Sequence, residues 1–260
     1  MIIGVPKETK LQEHRIGLTP DSVKVLHEKG HKVLVETNGG FEAGFTDQDY
    51  QKAGALIHSS ASTIFKDAEI IVKVKEPQMQ EVKMIRENQI IFTYLHLAAA
   101  KELTKGLIDT KSICIAYETV TDNNGRLPLL APMSAVAGRM SIQAGAHSLE
   151  KNQKGRGLLL GGAPGVDPAN VVILGGGVVG ENAAVIATGM KGKVFIVDKS
   201  QKRLQELHNM FGDKITPIQS DKSDLKKLIS NCDLLIGGVL IPGAEAPKLV
   251  TKEMIKSMKR

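Results

Sequence analysis

The sequence has 260 residues, of which 42% are hydrophobic and 24% are charged, which is typical of one large or two ordinary globular domains. Aromatic residues make up 3% and tryptophan is absent, so we expect an aliphatic core. The net charge of +6 is a mild excess, and the basic and acidic residues are interspersed. Because there is no zinc-ligand spacing, RNA-binding aromatic motif or basic arm, we predict neither a nucleic-acid partner nor a metal.

The cysteines and the apolar runs bear on location. Cys114 and Cys232 lie far apart, each in a segment with the sequence pattern of a strand or strand edge. We expect both to be small buried side chains in a reducing compartment. The N-terminal MIIGVPKETK lacks the apolar core of a signal peptide, and Glu181 and Asn182 interrupt the best candidate for a membrane span. We therefore predict a cytoplasmic protein with no membrane partner.

The first half of the chain alternates short β-branched runs with helical periodicity. An initial strand precedes a helix that Thr19 caps, Pro20 opens and Gly30 ends. This alternation predicts a parallel sheet covered by helices, and the turn-rich TDNNGRLP closes a first domain of residues 1–128. The predicted strands are IIGV (2–5), KVLVE (32–36), EIIVKV (69–74), QIIFTYL (89–95) and SICIAYE (112–118), with the helix AAKELTKGLID between the last two.

Residues 129–260 are predicted to form the second domain. APMSAVAGRMSIQAGAHSLEK is a long helix rich in small residues and is expected to connect the two domains. In the loop RGLLLGGAPGVDPAN, a short apolar run could form a strand or a hairpin arm. Two further strands are predicted at ITPIQS (215–220) and DLLIGGVL (233–240).

The strongest local signal is VVILGGGVVGENAAVIATGMKGKVFIVD, residues 171–198, which predicts strand, glycine loop, helix and strand. Gly175, Gly177 and Gly180 match G-x-G-x-x-G, in which the glycines allow a tight turn, approach to a pyrophosphate and close packing. The helix start, with Val178 and Val179, would offer free N–H groups to phosphate. Asp198 ends the next strand and could bind ribose hydroxyls, which favours NAD over NADP. A glycine-rich turn in another α/β fold is the alternative.

Other candidate cofactor contacts are less specific. Arg203 leaves NADP open, or is simply a solvated helix residue. Ser220, Val239 and Leu240 fall at the carboxyl ends of predicted strands, where such sheets bind ligands. For Val239 and Leu240, plain packing is an equal alternative.

His96 stands in the apolar run FTYLHLAAA and allows two interpretations. It could be a hydrogen-bonded core or rim histidine, which is the ordinary role of a lone histidine among apolar neighbours. Alternatively, it could transfer a proton, because an imidazole normally titrates near neutral pH.

Taken together, several motifs resemble the alanine dehydrogenase family. They are GVPKETKLQEHRIGLTP, IVKVKEP, YLHLA, LPLLAPMSAVAGRMSIQAG and VVILGGGVVGENAA, in that order, and they span essentially the whole chain. The nicotinamide nucleotide transhydrogenase α subunit shares the general plan, but YLHLA and RIGLTP favour alanine dehydrogenase. The resemblance implies two Rossmann-like, doubly wound parallel-sheet domains joined by a long helix, with residues 1–128 binding substrate and residues 129–260 binding NAD.

The resemblance also implies residue roles. Arg15 and Lys75 would hold the substrate carboxylate and carbonyl oxygen, and His96 would be the acid–base group. Ser134 would contact cofactor phosphate at a helix start, or else be an N-cap or surface hydroxyl, while Asp198 and Arg203 would flank the adenosine. The implied reaction converts L-alanine, NAD⁺ and water to pyruvate, ammonium and NADH. A hexamer or another closed homo-oligomer is expected.

The sequence ends at KEMIKSMKR, where the resemblance implies further strands of the second sheet, an acidic catalytic residue, an Asn-containing cofactor loop and a segment returning to the first domain. We therefore expect the second domain to be incomplete and these residues alone not to be fully active. Two hypotheses follow. The chain is the major part of a shortened alanine dehydrogenase, or it is a natural short form that binds NAD or a partner chain without catalysis.

Overall fold

A computed structural model describes residues 1–220, 222–241 and 246–259. The chain divides into two compact units, Met1–Leu127 and Pro128–Arg260.

The first unit contains a six-stranded, fully parallel sheet in the order β3-β2-β1-β4-β5-β6. This is the doubly wound order, in which the chain builds outward from a central strand and then reverses direction across the sheet. The predicted fold class is therefore confirmed. The short edge strand β3 was not predicted, because it offers too few residues for a recognisable pattern. The strands are β1 (Ile2–Val5), β2 (Lys32–Glu36), β3 (Leu56–His58), β4 (Ile70–Val72), β5 (Ile90–Thr93) and β6 (Ile113–Ala116).

The helices of this unit are α1 (Pro20–Glu28), α2 (Asp47–Lys52), α3 (Ala61–Asp67), α4 (Met79–Val82) and α5 (Lys101–Thr110). The predicted start of α1 is confirmed, because the Thr19 hydroxyl accepts a hydrogen bond from the Ser22 N–H at 3.3 Å and Pro20 is the first helical residue. Gly30, with φ 82°, follows the end of α1, where a left-handed residue stops the helix at no steric cost.

Two apolar clusters form the core of the first unit. One contains Ile64 and Phe65 of α3 with Ile71 and Ile91 of the sheet, all fully buried. Each such side chain contributes about 1.5–3 kcal/mol relative to an exposed one. The other cluster centres on Tyr50, whose hydroxyl donates to the Leu18 carbonyl at 2.8 Å. Burial raises the pKa of Tyr50 to about 12. These clusters hold the strands in register and so fix the loops at their ends.

The second unit contains a four-stranded parallel sheet among the described residues, in the order β10-β7-β8-β9. This order matches the part of a doubly wound sheet that surrounds its central strand, here β7. The strands are β7 (Asn170–Leu174), β8 (Lys193–Asp198), β9 (Ile215–Gln219) and β10 (Leu234–Gly237); the helices are α6 (Ala131–Ser148), α7 (Val178–Gly189), α8 (Gln201–Phe211), α9 (Lys222–Asn231) and α10 (Lys252–Lys256).

Helix α6, expected to connect two domains, lies within the second unit and packs against α7. A Cβ on Gly138 would lie 2.2 Å from the Val179 carbonyl oxygen, so a small residue is required at this contact. The apolar run at 158–160, predicted as a strand or a hairpin arm, forms no strand within the described range 1–220. The β-pairing in this loop, among the described residues, is one isolated bridge between Ala163 and Val166. Leu160 instead packs into the core.

Cys232 is buried as predicted, and burial raises the pKa of its thiol to about 11, whereas Cys114 is only half-buried. None of the helices in the described part of the chain has the length and apolarity that a membrane crossing requires.

Candidate active site

The candidate site of the first unit lies where the strand order of its sheet reverses, between β1 and β4. Arg15 follows β1, Lys75 follows β4 and His96 follows β5, so all three predicted residues lie beyond the carboxyl ends of adjacent parallel strands. Doubly wound sheets bind ligands at this edge. The topology therefore brings together three residues that are far apart in the sequence.

Arg15 forms a forked ion pair with Glu13. The carboxylate of Glu13 accepts hydrogen bonds from Nε of Arg15 at 2.8 Å, from Nη2 at 2.6 Å and from its backbone N–H at 3.0 Å. The hydrogen bond from Arg15 lowers the pKa of Glu13 to about 2, and the charge of Lys75 contributes to the shift. Both predicted substrate-binding cations thus lie close enough to stabilise one carboxylate.

The backbone of Lys75 is held on both sides. Glu8 accepts hydrogen bonds from the N–H groups of Val74 and Lys75, at 2.6 and 3.3 Å. The hydroxyl of buried Thr93, at the end of β5, donates to the Lys75 carbonyl oxygen at 2.9 Å. The start of the Lys75 side chain is therefore fixed relative to both β1 and β5.

A buried ionic cluster lies behind Lys75. The ammonium of Lys73, fully buried, donates to Glu8 at 3.1 Å and to Glu81 at 2.8 Å. Glu81 also accepts the N–H of Gln78 at the start of α4. Because buried charges are tolerated only when paired, this cluster ties the loop after β1, the end of β4 and α4 into one arrangement.

His96 is exposed, so a position in the core is wrong, whereas a position at the rim agrees with this exposure. Its backbone is left-handed, with φ 50° and ψ 37°, a conformation that costs a residue with a Cβ about 1–2 kcal/mol. The carboxylate of Glu118 accepts hydrogen bonds from the N–H groups of Leu95 and His96, the latter at 2.6 Å. The imidazole is stacked with the Tyr94 ring, at 6.1 Å between centroids and 13° between planes.

The sequence interpretation missed Glu13, Tyr94 and Glu118. Burial raises the pKa of Tyr94, the Arg15 cation opposes that shift and Glu118 adds to it, so these side chains share one electrostatic environment. Tyr94 could have been found within the YLHLA motif, beside His96. Glu118 follows β6, and only the pairing of β5 with β6 brings it to His96.

In the second unit, the predicted glycine loop joins β7 to α7. Gly175 has φ 98°, and a Cβ on Gly180 would lie 1.9 Å from the Gly175 carbonyl oxygen, so the turn requires both glycines. Gly177 is the N-cap of α7, whose first residues are Val178 and Val179, and no described atom beyond its chain neighbours lies within 4 Å of a Cβ built on it. The N-terminus of α7 therefore offers N–H groups and open space to an anion, which fits a dinucleotide pyrophosphate.

Asp198 and Arg203 both contact the backbone of Gly176. Asp198 accepts the Gly176 N–H at 2.6 Å and the Ser200 N–H at 2.8 Å, one on each oxygen. Each oxygen keeps acceptor capacity for a ribose hydroxyl, so this residue also fits a dinucleotide. Arg203 donates from Nε to the Gly176 carbonyl at 2.7 Å and pairs with Glu181, so the alternative of a merely solvated residue is wrong.

The remaining cofactor candidates occupy different positions. Ser134 lies in the first turn of α6, and its N–H donates to the Leu130 carbonyl. Because Leu130 is the N-cap of this helix, the alternative that Ser134 caps it is wrong. Ser220 is exposed just after β9, and its N–H donates to the Asp198 carbonyl at 2.9 Å. Val239 packs on the core and lies close to Gly175. Leu240 is 55% exposed, so the alternative of plain packing is wrong for Leu240.

These features define a two-unit α/β protein whose second unit is of the Rossmann dinucleotide-binding type. The family model for the alanine dehydrogenase/PNT N-terminal domain matches residues 4–137, and the model for the C-terminal domain matches residues 141–260. The chain therefore belongs to the alanine dehydrogenase/PNT family.

Individual relatives agree with this assignment. The chain is 53% identical to an alanine dehydrogenase of Methanococcus maripaludis over 99% of its own length and 69% of that protein. The chain also matches a solved structure of an L-alanine dehydrogenase, with 50% sequence identity and a TM-score of 0.90. The match includes 100% of this chain and 72% of the solved one. The crystal structure of a transhydrogenase from Sinorhizobium meliloti is 25% identical, with a TM-score of 0.82. This match includes 100% of this chain and 76% of the transhydrogenase chain.

Proposed function

We propose that this chain catalyses the reversible, NAD-dependent oxidative deamination of L-alanine to pyruvate and ammonium. The observation that carries the proposal is that Arg15, Lys75 and His96 lie beyond the carboxyl ends of the adjacent strands β1, β4 and β5, in a chain about 50% identical to alanine dehydrogenases over its whole length. The identity of only 25% to the transhydrogenase makes nucleotide-to-nucleotide hydride exchange the weaker candidate.

Arg15 and Lys75 supply the charges that a 2-oxo or 2-amino acid requires. A guanidinium offers a planar fork to a carboxylate, and Arg15 already uses that geometry with Glu13. The Lys75 ammonium is a compact cation suited to a carbonyl oxygen that gains negative charge during reaction. We assign the substrate carboxylate to Arg15 and the reacting oxygen to Lys75.

His96 is assigned to proton transfer. Its imidazole is exposed beyond the carboxyl end of β5, and the stacked Tyr94 ring restricts its orientation. When water adds to the imine carbon, a proton must leave the attacking oxygen, and an imidazole accepts protons near neutral pH. In the reverse direction the same imidazole returns that proton to the departing hydroxyl.

NAD, when bound, supplies the hydride acceptor for alanine oxidation and the hydride donor for the reverse reaction. The glycine loop at Gly175, Gly177 and Gly180 would hold its pyrophosphate at the N-terminus of α7, and Asp198 would accept hydrogen bonds from its ribose. Ser134, Arg203, Ser220, Val239 and Leu240 complete the proposed binding set. Because an anionic Asp198 repels a 2′-phosphate, NADH should bind more tightly than NADPH.

We further propose a cytoplasmic location and a closed homo-oligomer, with a hexamer as the specific expectation. Two free thiols, Cys114 and Cys232, support a reducing compartment. Light scattering coupled to gel filtration measures the assembly, and fractionation of cells measures the location.

The central test is NADH formation from L-alanine at alkaline pH, combined with NADH binding by calorimetry. His96→Ala should reduce turnover far more than it reduces NADH binding, whereas His147→Ala, an exposed histidine on α6, serves as the matched control. Hydride exchange between nucleotides without any need for alanine would instead support a transhydrogenase. Nucleotide binding with no turnover would support the non-catalytic short form.

A further inference from the structure

The loop that presents His96 is held by a carboxylate from the segment that follows strand β6. The Glu118 Oε1 atom accepts the N–H of His96 at 2.6 Å and that of Leu95 at 3.1 Å, and Oε2 accepts the Leu95 N–H at 3.2 Å. Two consecutive backbone donors therefore converge on one half-buried side chain.

This contact falls where the backbone is least favourable. His96 is left-handed, and such residues persist at functional positions only when their surroundings hold them there. With the Glu118 carboxylate removed, both N–H groups would lose their acceptor and the turn between β5 and α5 could relax. The imidazole direction depends on this turn, because the side chain leaves the backbone at the strained residue.

Glu118 is itself well placed for this role. It follows β6, which pairs in parallel with β5 from Ile90↔Ile113 to Thr93↔Ala116, so its position relative to His96 is set by the sheet. The neighbouring rings of Tyr94 and Tyr117 are in edge contact, at 4.9 Å between centroids, which packs the two loops together.

We propose that Glu118 is a positioning residue that locks the left-handed turn at His96 and thereby orients the imidazole for proton transfer. This inference rests on the proposed role of His96. Glu118 acts through the backbone by the reach of its acceptor oxygen, so an uncharged acceptor of equal length should largely replace it, whereas a shorter carboxylate should not.

Three variants separate reach from charge in the purified chain: Glu118→Gln keeps reach and removes charge, Glu118→Asp keeps charge and shortens reach, and Glu118→Ala removes both. Glu87→Ala is the control, because Glu87 is an exposed glutamate whose carboxylate lies 4.0 Å from the Lys111 ammonium. We would measure kcat and the KM for pyruvate in NADH oxidation with ammonium, thermal unfolding, and the histidine ring signals by NMR, with the His96 signal assigned through His96→Ala.

We expect Glu118→Ala and Glu118→Asp to lower kcat about tenfold to a hundredfold with the KM for pyruvate changed less than about threefold, and to shift or broaden the His96 ring signal. Glu118→Gln should retain at least about a third of kcat, and Glu87→Ala should match the parent chain. If Glu118→Ala does not fold, the comparison of Gln with Asp decides the question by itself.

Higher kcat for Asp than for Gln, or parental kcat with an unchanged His96 signal in all folded variants, would overturn the proposal. If the parent chain turns over neither alanine nor pyruvate, the proposed function fails, and the His96 ring signal alone decides the positioning. In that case a perturbed signal in Asp but not in Gln supports the lock, and an unchanged signal in both overturns it.

Discussion

Glu13 occupies the guanidinium fork of Arg15, with its two carboxylate oxygens 2.8 Å from Nε and 2.6 Å from Nη2. This is the geometry in which arginine binds a carboxylate ligand. An internal carboxylate therefore stands where the proposed substrate would place its own, and binding must rearrange or share this ion pair.

We predict that Glu13→Gln lowers the KM for pyruvate by about threefold, which corresponds to less than 1 kcal/mol. A neutral amide competes less well for the guanidinium, so Arg15 becomes more available. Steady-state kinetics with saturating NADH measure the effect, and Glu42→Gln, in the exposed pair with His14, is the control. A clear rise in KM would mean that Glu13 instead holds Arg15 in its binding orientation.

The same ion pair should contribute to acid stability. Arg15 lowers the pKa of Glu13 in the folded chain to about 2 from an ordinary 4.5, so the unfolded chain binds the proton more readily. The stabilisation is present above pH 4.5 and is lost as the pH falls from there towards 2. Urea unfolding across this range should give a shallower pH dependence for Glu13→Gln than for the parent chain, and parallel curves would contradict the assignment.

Replacement of Lys73 should be severely destabilising. Lys73→Met leaves the buried carboxylates of Glu8 and Glu81 without their cation, and we expect a loss of about 3–5 kcal/mol in the free energy of unfolding. Urea denaturation measures this, with Lys83→Ala as the exposed control, expected within about 0.5 kcal/mol of the parent. Adding Glu8→Gln and Glu81→Gln should recover part of the stability; no recovery would argue against charge as the cause.

Gly180→Ala should disrupt the nucleotide loop. The new Cβ would lie 1.9 Å from the Gly175 carbonyl oxygen, which belongs to rigid backbone, so the turn must open. We expect NADH binding by calorimetry to weaken at least about tenfold, along with a lower melting temperature. Gly189→Ala at the end of the same helix meets no described atom within 4 Å and should be neutral or stabilising by up to about 1 kcal/mol. Unchanged NADH affinity in Gly180→Ala would exclude the loop as the pyrophosphate site.

The local patterns of the sequence were sufficient for most strands, the start of α1, the glycine loop and the acidic residue that ends β8. Each of these depends on the preferences of neighbouring residues: β-branched runs favour strands, Thr-Pro favours a helix start, and closely spaced glycines allow the turn. The assignment of Arg15, Lys75 and His96 required the family motifs, since each residue alone resembles an ordinary surface cation or a lone histidine.

Only the tertiary structure placed Glu118 beneath the His96 turn, Glu13 in the Arg15 fork and Lys73 between two buried carboxylates. The contacts of Glu118 and Lys73 join segments that follow different strands, and their distances depend on strand order and register, which local propensity does not specify. Glu13 and Arg15 share one loop, and the conformation of that loop brings their side chains together. The sequence by itself determined which chemical groups this protein carries and where most of its strands lie. The packing of parallel strands decided which of those groups meet, because side chains after neighbouring strands converge at one edge of the sheet.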